Sequence, residues 1–182
     1  MRPIYIPILV LTLAACGRET TTPSSEFETF ELPADLIAEN VRTVLTNSGI
    51  RTAVLVSDTA YIFEEDRSHE LRGVNMTFFA ENGAEAGTLR SNAGNYNMGT
   101  GVFVARGDVL LITEGPSGER RLETELLRYD VRGDSISTDR DFVLHDDGQV
   151  SRGTSFKSDA QFRTWEVVGA RTEGAVESTG SF

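Results

Sequence analysis

Beyond residue 50 the apolar positions recur with the period of strands. Val74-Asn-Met-Thr-Phe alternates apolar and polar, and Val102 and Val104 flank a Phe103 that points the other way. Val109-Leu-Leu-Ile is a continuous apolar run, and Ile136-Ser-Thr is followed by Phe142-Val-Leu. No stretch after residue 50 carries a helical period of useful length. One segment is ambiguous. Over Pro33 to Asn47, Leu36, Ile37, Asn40, Val41, Val44 and Leu45 could share one side of a short helix. Its β-branched end favours a strand from about Val41, with a helix over Ala34 to Glu39 as the alternative.

The strand pattern repeats. Leu55-Val-Ser-Asp, Leu89-Arg-Ser-Asn, Leu122-Glu-Thr-Glu and Phe156-Lys-Ser-Asp begin 34, 33 and 34 residues apart. Each reads large apolar, any, Ser/Thr, acid or amide, and the middle two end on an aromatic at the same offset, Tyr96 and Tyr129. Turn residues precede each one: Asn47-Ser48-Gly49, Glu81-Asn82-Gly83, Gly115-Pro116-Ser117-Gly118 and Asp146-Asp147-Gly148. Such residues accept the φ > 0 of hairpin connections. Second turns fall at Gly99-Thr100-Gly101 and Arg132-Gly133-Asp134. A unit of two or three short strands cannot bury its own face, so its neighbours must stack on it. The expected fold is all-β: an antiparallel two-sheet β-jellyroll, or twisted β-taco, of about four repeats. Its open ends present unpaired backbone groups, a template for another chain's strand.

The amino terminus has a different pattern. Ile4 to Ala15 is almost wholly apolar after Arg2, but at about a dozen residues it falls short of the roughly 20 that span a bilayer. It reads as the core of a signal peptide. The run ends in Leu13-Ala14-Ala15-Cys16-Gly17, which resembles the bacterial lipoprotein lipobox. The resemblance implies lipidation of Cys16 and cleavage before it, and several acyl chains at about 0.8 kcal/mol per buried CH₂ make such an anchor permanent. The domain organisation expected is a signal peptide over 1–15, a flexible tether over 16–35, the β-domain over 36–168 and a disordered tail over 169–182. Gly17, where an Asp would retain a lipoprotein in the inner membrane, leaves the outer membrane open.

Composition narrows the function classes. With 17 Lys+Arg against 28 Asp+Glu the net charge is −11, which excludes a nucleic-acid partner. Cys16 is the only cysteine, so no internal disulfide forms and no Cys-based zinc site is supplied. Two acidic clusters could suggest hydrolysis, Glu64-Glu65-Asp66 and His145-Asp146-Asp147. Adjacent strand residues face opposite sides, and Asp-Asp-Gly is turn chemistry. His69 and His145 pair with no serine of the repeat. No catalytic residue, metal site or cofactor is expected.

Taken in order, Leu71-Arg-Gly-Val-Asn-Met-Thr-Phe, Leu89-Arg-Ser-Asn-Ala-Gly-Asn-Tyr96, Ala105-Arg-Gly-Asp-Val109, Arg120-Arg-Leu-Glu-Thr-Glu-Leu-Leu-Arg-Tyr129 and Ile136-Ser-Thr-Asp139 resemble the LptC family. Val150-Ser-Arg-Gly153-Thr-Ser-Phe-Lys-Ser-Asp159 is similar to that family's last glycine-containing strand pair. The resemblance covers roughly residues 41 to 165. It implies a periplasmic protein, held to the inner membrane by function, that takes lipopolysaccharide from an inner-membrane ABC transporter and passes it to an LptA-like jellyroll of a periplasmic bridge. Best-known members carry an uncleaved transmembrane helix where this chain has a lipobox. The implied lipid trough would be lined from alternating strand positions by Val74, Met76, Phe78, Leu89, Phe103, Val109, Leu111, Leu122, Phe142, Leu144 and Phe156; the alternative is that they fill an ordinary core. Gly153, expected on the carboxy-terminal edge strand, is the implied docking position. A structural outer-membrane lipoprotein, a scaffold without lipid cargo, is the competing function.

Overall fold

The computed structural model describes residues 34–115, 118–169 and 171–173. All regular structure among them is β-strand. Six long strands come first: β1 (Leu36–Asn47), β2 (Ile50–Phe63), β3 (Ser68–Phe79), β4 (Glu85–Asn97), β5 (Val102–Gly115) and β6 (Gly118–Asp130). Six short ones follow: β7 (Ser135–Thr138), β8 (Phe142–Asp146), β9 (Gln149–Gly153), β10 (Ser155–Asp159), β11 (Trp165–Val168) and β12 (Arg171–Glu173). Every pairing is antiparallel, and β1 to β6 pair in chain order. The Gly, Asn and Asp turns expected from the sequence separate the strands, with φ > 0 at Ser48, Gly49, Gly83, Gly101, Asp134, Asp147 and Gly148.

One hydrogen-bonded sheet becomes two layers because the inward-facing set slips halfway along each long strand. Alternation has period two, so residues three apart should face opposite sides. Yet Ser57 and Ala60 of β2, Leu71 and Val74 of β3, and Thr124 and Leu127 of β6 are all buried. The ladder skips between these pairs: Val74 opposes Ser91 and Arg72 opposes Ala93, leaving Gly73 and Asn92 unpaired. In β5 two residues, Gly107 and Asp108, are left out between Arg106 and Val109. Positive φ at Asn40, Gly73, Gly107 and Asp108 puts a bend at mid-strand in β1, β3 and β5. A Cβ at Gly73 would overlap the Asp58 carboxylate, and its φ of 61° is one that glycine adopts most readily. Asn92 Nδ2 donates to Asp108 Oδ2 across the bend at 2.7 Å.

The bend divides the sheet into two leaves. At β6 the pairing forks: Arg120–Thr124 pair with β8, and Arg128–Asp130 pair with β7. The first leaf continues through β8, β9 and β12, the second through β7, β10 and β11. The leaves face each other over one apolar core. Phe78 of the first meets Tyr129 of the second edge-on at 5.2 Å, and Phe142 meets Phe156 at 6.1 Å. The molecule is the two-layered antiparallel β-jellyroll that the repeat called for.

Four particulars differ from the sequence reading. The helix alternative over 34–39 does not form: Leu36 to Glu39 pair with Thr59 to Ile62 of β2, whose long partner strand outweighs the weak propensity of a six-residue helix. The order of the sheet begins before residue 36, since Asp35 N donates to Ile62 O at 3.0 Å and Ala34 is buried. At the other end, Arg171–Glu173 pair with Val150–Arg152 as β12, inside the segment expected to be a disordered tail. The open edge of β9 supplies the backbone partners that a small, polar sequence lacks by itself. Finally, Phe156 is not the fourth member of the Leu55, Leu89, Leu122 series. It lies on the second leaf opposite Thr138 and Val167, because β9 and its two-residue turn place Ser151, not Phe156, beside Leu144. The signal peptide, Cys16, nearly all of the tether and residues 174–182 of the tail lie outside the described residues.

Candidate functional site

The interior between the leaves is built of rows that run across the strands. Leu55, Met76, Leu89, Leu111, Leu122 and Leu144 oppose one another in succession through six strands of the first leaf. On the second leaf Tyr96, Phe103, Tyr129 and Ile136 form a matching row. All eleven residues assigned to a trough belong to this single buried cluster. In the described conformation they are close-packed core. Val109 and Phe142 also border a groove of about 910 Å³ along the bend, with Arg121, Arg152, Arg171 and Gly153 on its wall. Sequence reading omitted Leu71, Leu127, Ile136 and Phe162 from the cluster. The aromatic offset of the repeat already pointed to Tyr129, whereas Phe162 stands in a polar loop with no alternation to mark it.

Opposite the bend, the two leaves meet at a seam formed by their turns. Among the described residues no backbone ladder crosses it. Asn47 Nδ2 reaches Arg132 O at 3.5 Å, and Gln161 Nε2 reaches Glu81 Oε1 at 3.5 Å, both at the outer limit of a hydrogen bond. Beneath them, Phe78, Tyr129 and Phe162 close the gap with ring contacts. Burial pushes the Tyr129 phenol up to about 12, so it stays neutral at any physiological pH. Its hydroxyl turns toward Thr52, whose own Oγ1 donates to Leu45 O, and it makes no hydrogen bond of good geometry. The buried hydroxyls of Ser57 and Thr113 likewise have no hydrogen-bond partner among the described residues.

The seam turns also carry charge. Burial and the neighbouring Asp159 push the Asp134 carboxyl up. Burial acts on Asp159 in the same sense but is outweighed by bonds from Arg163 Nε and the Arg163 and Thr164 amides, which hold its carboxyl below the ordinary range. The acidic clusters weighed for hydrolysis do not converge. Glu64-Glu65-Asp66 is the β2–β3 turn, and Asp146 Oδ2 is bonded by Arg120 Nε at 2.8 Å. Among the described residues no group of three His, Cys, Asp or Glu could hold a metal ion.

Gly153 occupies a different place from the edge expected for it. It is buried, it opposes Phe142, and a Cβ there would lie 2.6 Å from the Phe142 ring and 3.1 Å from Val168 O. Among the described residues the free edges of the sheet are β1 at one end and β11 with β12 at the other; β12 covers β9. Gly153 is glycine because an aromatic ring packs on its backbone.

A family model described as lipopolysaccharide-assembly, LptC-related, matches residues 8–172. The chain belongs to the LptC-related family. That membership makes it a periplasmic component of lipopolysaccharide transport. The LptC-related fold is also similar to a solved structure described as LptH, the LptA-homologous periplasmic component of the lipopolysaccharide transport device from Pseudomonas aeruginosa. The two share 12% identity over 67% of this chain and 94% of that one, with a TM-score of 0.52. At that identity the likeness bears on the fold alone. A search of curated protein sequences gave no match.

Proposed function

We propose that this LptC-related domain is a membrane-anchored, non-catalytic carrier that receives lipopolysaccharide acyl chains between its two leaves and hands them on along a periplasmic bridge. The observation that carries this reading is the asymmetry of the jellyroll. One side is a covalent bend crossed by every long strand, and the other is a seam held by side chains. Parting the seam exposes a continuous apolar surface, including the Leu/Met row and Phe103, without breaking a strand ladder. Burial of acyl chains on that surface, at about 25 cal/mol per Å², replaces the core contacts that are lost. The free edges of β1 at one end and of β11 and β12 at the other suit main-chain docking of further jellyrolls, the inner-membrane ABC transporter's on one side and an LptA-like protein's on the other.

The test is photocrosslinking in cells. A photoactivatable phenylalanine at Phe103 or Phe78 should give a lipopolysaccharide adduct, and one at exposed Val44 should give none. Absence of adduct at both interior positions, with folding intact, would leave the cargo-free outer-membrane scaffold as the better account.

The lipid anchor is a separate part of the reading, supported by the lipobox-like Leu13-Ala14-Ala15-Cys16. Cys16→Ser should yield an uncleaved precursor that takes up no labelled palmitate. Normal labelling of that variant would remove the anchor from the proposal and leave the carrier untouched.

A further inference from the structure

The β10–β11 loop does not stay outside the leaves. Its Phe162 is 5% exposed and sits on backbone with φ of 57°, a region that bulky residues avoid. The conformation is imposed from several directions. Phe162 N donates to Asp159 O at 3.0 Å, and the Asp159 carboxylate accepts from the amides of Arg163 and Thr164 at 2.7 and 3.2 Å. Trp165 Nε1 donates to Phe162 O at 2.9 Å. Strain of this kind persists only where the surroundings over-determine it, and it concentrates at sites that switch.

The ring enters a slot prepared in the first leaf. It packs edge-on against Phe78 at 5.4 Å, and the slot's floor is Gly87. A Cβ on Gly87 would come within 2.9 Å of the Phe162 ring, 2.8 Å of Ile112 O and 3.0 Å of Thr113 Cγ2. Thr113, on the slot's wall, is 2% exposed, and among the described residues its hydroxyl has no hydrogen-bond partner. An apolar slot with an unused hydroxyl on its wall fits an acyl chain with a carbonyl linking group better than it fits a phenyl ring alone.

We propose that Phe162 stands in for an acyl chain of the cargo: ring and lipid compete for the slot over Gly87, and the 160–164 loop withdraws as the chain enters. This rests on the carrier reading above. A protein interior tolerates few voids, so a site that must accept a lipid needs something to fill it at other times. A ring held on a strained loop fills it and leaves readily, since withdrawal relieves the strain. The hydroxyl of Thr113 then donates to the ester or amide carbonyl of the arriving chain.

The experiment uses the full chain in lipid nanodiscs with purified lipopolysaccharide. Trp165 is the only tryptophan and is tied to the loop by its bond to Phe162, so its emission should shift to the red on loading. Phe162→Ala should bind with an apparent Kd about tenfold lower, because the competent state no longer has to be freed. In a second variant, Glu81→Cys with Gln161→Cys is joined by a thiol-cleavable bismaleimide, pinning the loop to the β3–β4 turn. Loading should stop and return on cleavage. Undiminished loading of the pinned protein would overturn the stand-in role while leaving the carrier intact, as would weaker binding by a folded Phe162→Ala protein. Failure of the unmodified chain to take up lipopolysaccharide at all would overturn the carrier reading, and the stand-in with it.

Discussion

Gly153→Arg should unfold the carboxy-terminal third of the jellyroll rather than merely block a docking partner. The position is buried, and the Cβ alone would lie 2.6 to 2.7 Å from two atoms of the Phe142 ring. Displacing that ring disturbs its contact with Phe156, which in turn packs on Trp165 at 4.8 Å. Overpacking of this kind costs about 1–3 kcal/mol. The Cβ aims into the Phe142 ring and not along the groove, so the arginine's charge is drawn out of water, which costs about 3–5 kcal/mol more. Together these rival the roughly 5–15 kcal/mol that holds a whole domain. Circular dichroism and limited proteolysis of the purified variant check the point, and the milder Gly153→Ala should retain the fold with a lowered Tm. A Gly153→Arg protein that melts like its parent would return this residue to the surface and to docking.

Leu89→Ala should cost about 2–5 kcal/mol, the range for truncating a fully buried leucine. Leu89 lies in the middle of the first leaf's row, opposite Met76 on one side and Leu111 on the other, with no exposure. Neighbouring strands are tied by their ladders and cannot close the void, so the loss belongs at the upper end of that range. Leu122→Ala, in the same row and equally buried, should behave alike. A urea midpoint is the measurement. A negligible shift in both variants would mean that the row packs against nothing, contrary to the core described.

What could be read from the chain, and what could not, follows from the range of the interactions involved. The hairpin turns were legible because Asn47-Ser48-Gly49 or Asp146-Asp147-Gly148 encode their φ values locally. The Leu55, Leu89, Leu122 row was legible because equal repeat lengths keep three strands in register. Phe156 broke the series because the register of β10 depends on where the first leaf ends, which is set by the bend and not by spacing. The bend itself was hidden. Asn40, Gly73 and Gly107-Asp108 resemble turn residues but occur inside apolar alternation, and the slip they cause shows only when Leu71 and Val74 are both seen to be buried. The strand β12 was missed because Arg171-Thr-Glu has almost no tendency of its own and is held by the edge of β9. The eleven residues named for a trough all lie in the buried interior. Alternation cannot distinguish a lining from a filling, and the difference lies in how firmly the seam is shut.

The two ends of the sheet are unlike. One, among the described residues, is the single strand β1, 12 residues long and bent at Asn40, which spans both leaves. The other is a fork whose prongs, β11 and β12, have 4 and 3 residues. A module with such ends has a polarity, like a plug and a socket. Copies or relatives joined through them form an open row with a fixed sense instead of a closed symmetric pair. In such a row each joint is a different pair of surfaces from a mirror-image one, so a module cannot be inserted backwards. The order of the parts would then fix which end of the row is which, and a difference in free energy between those ends would set the direction of traffic.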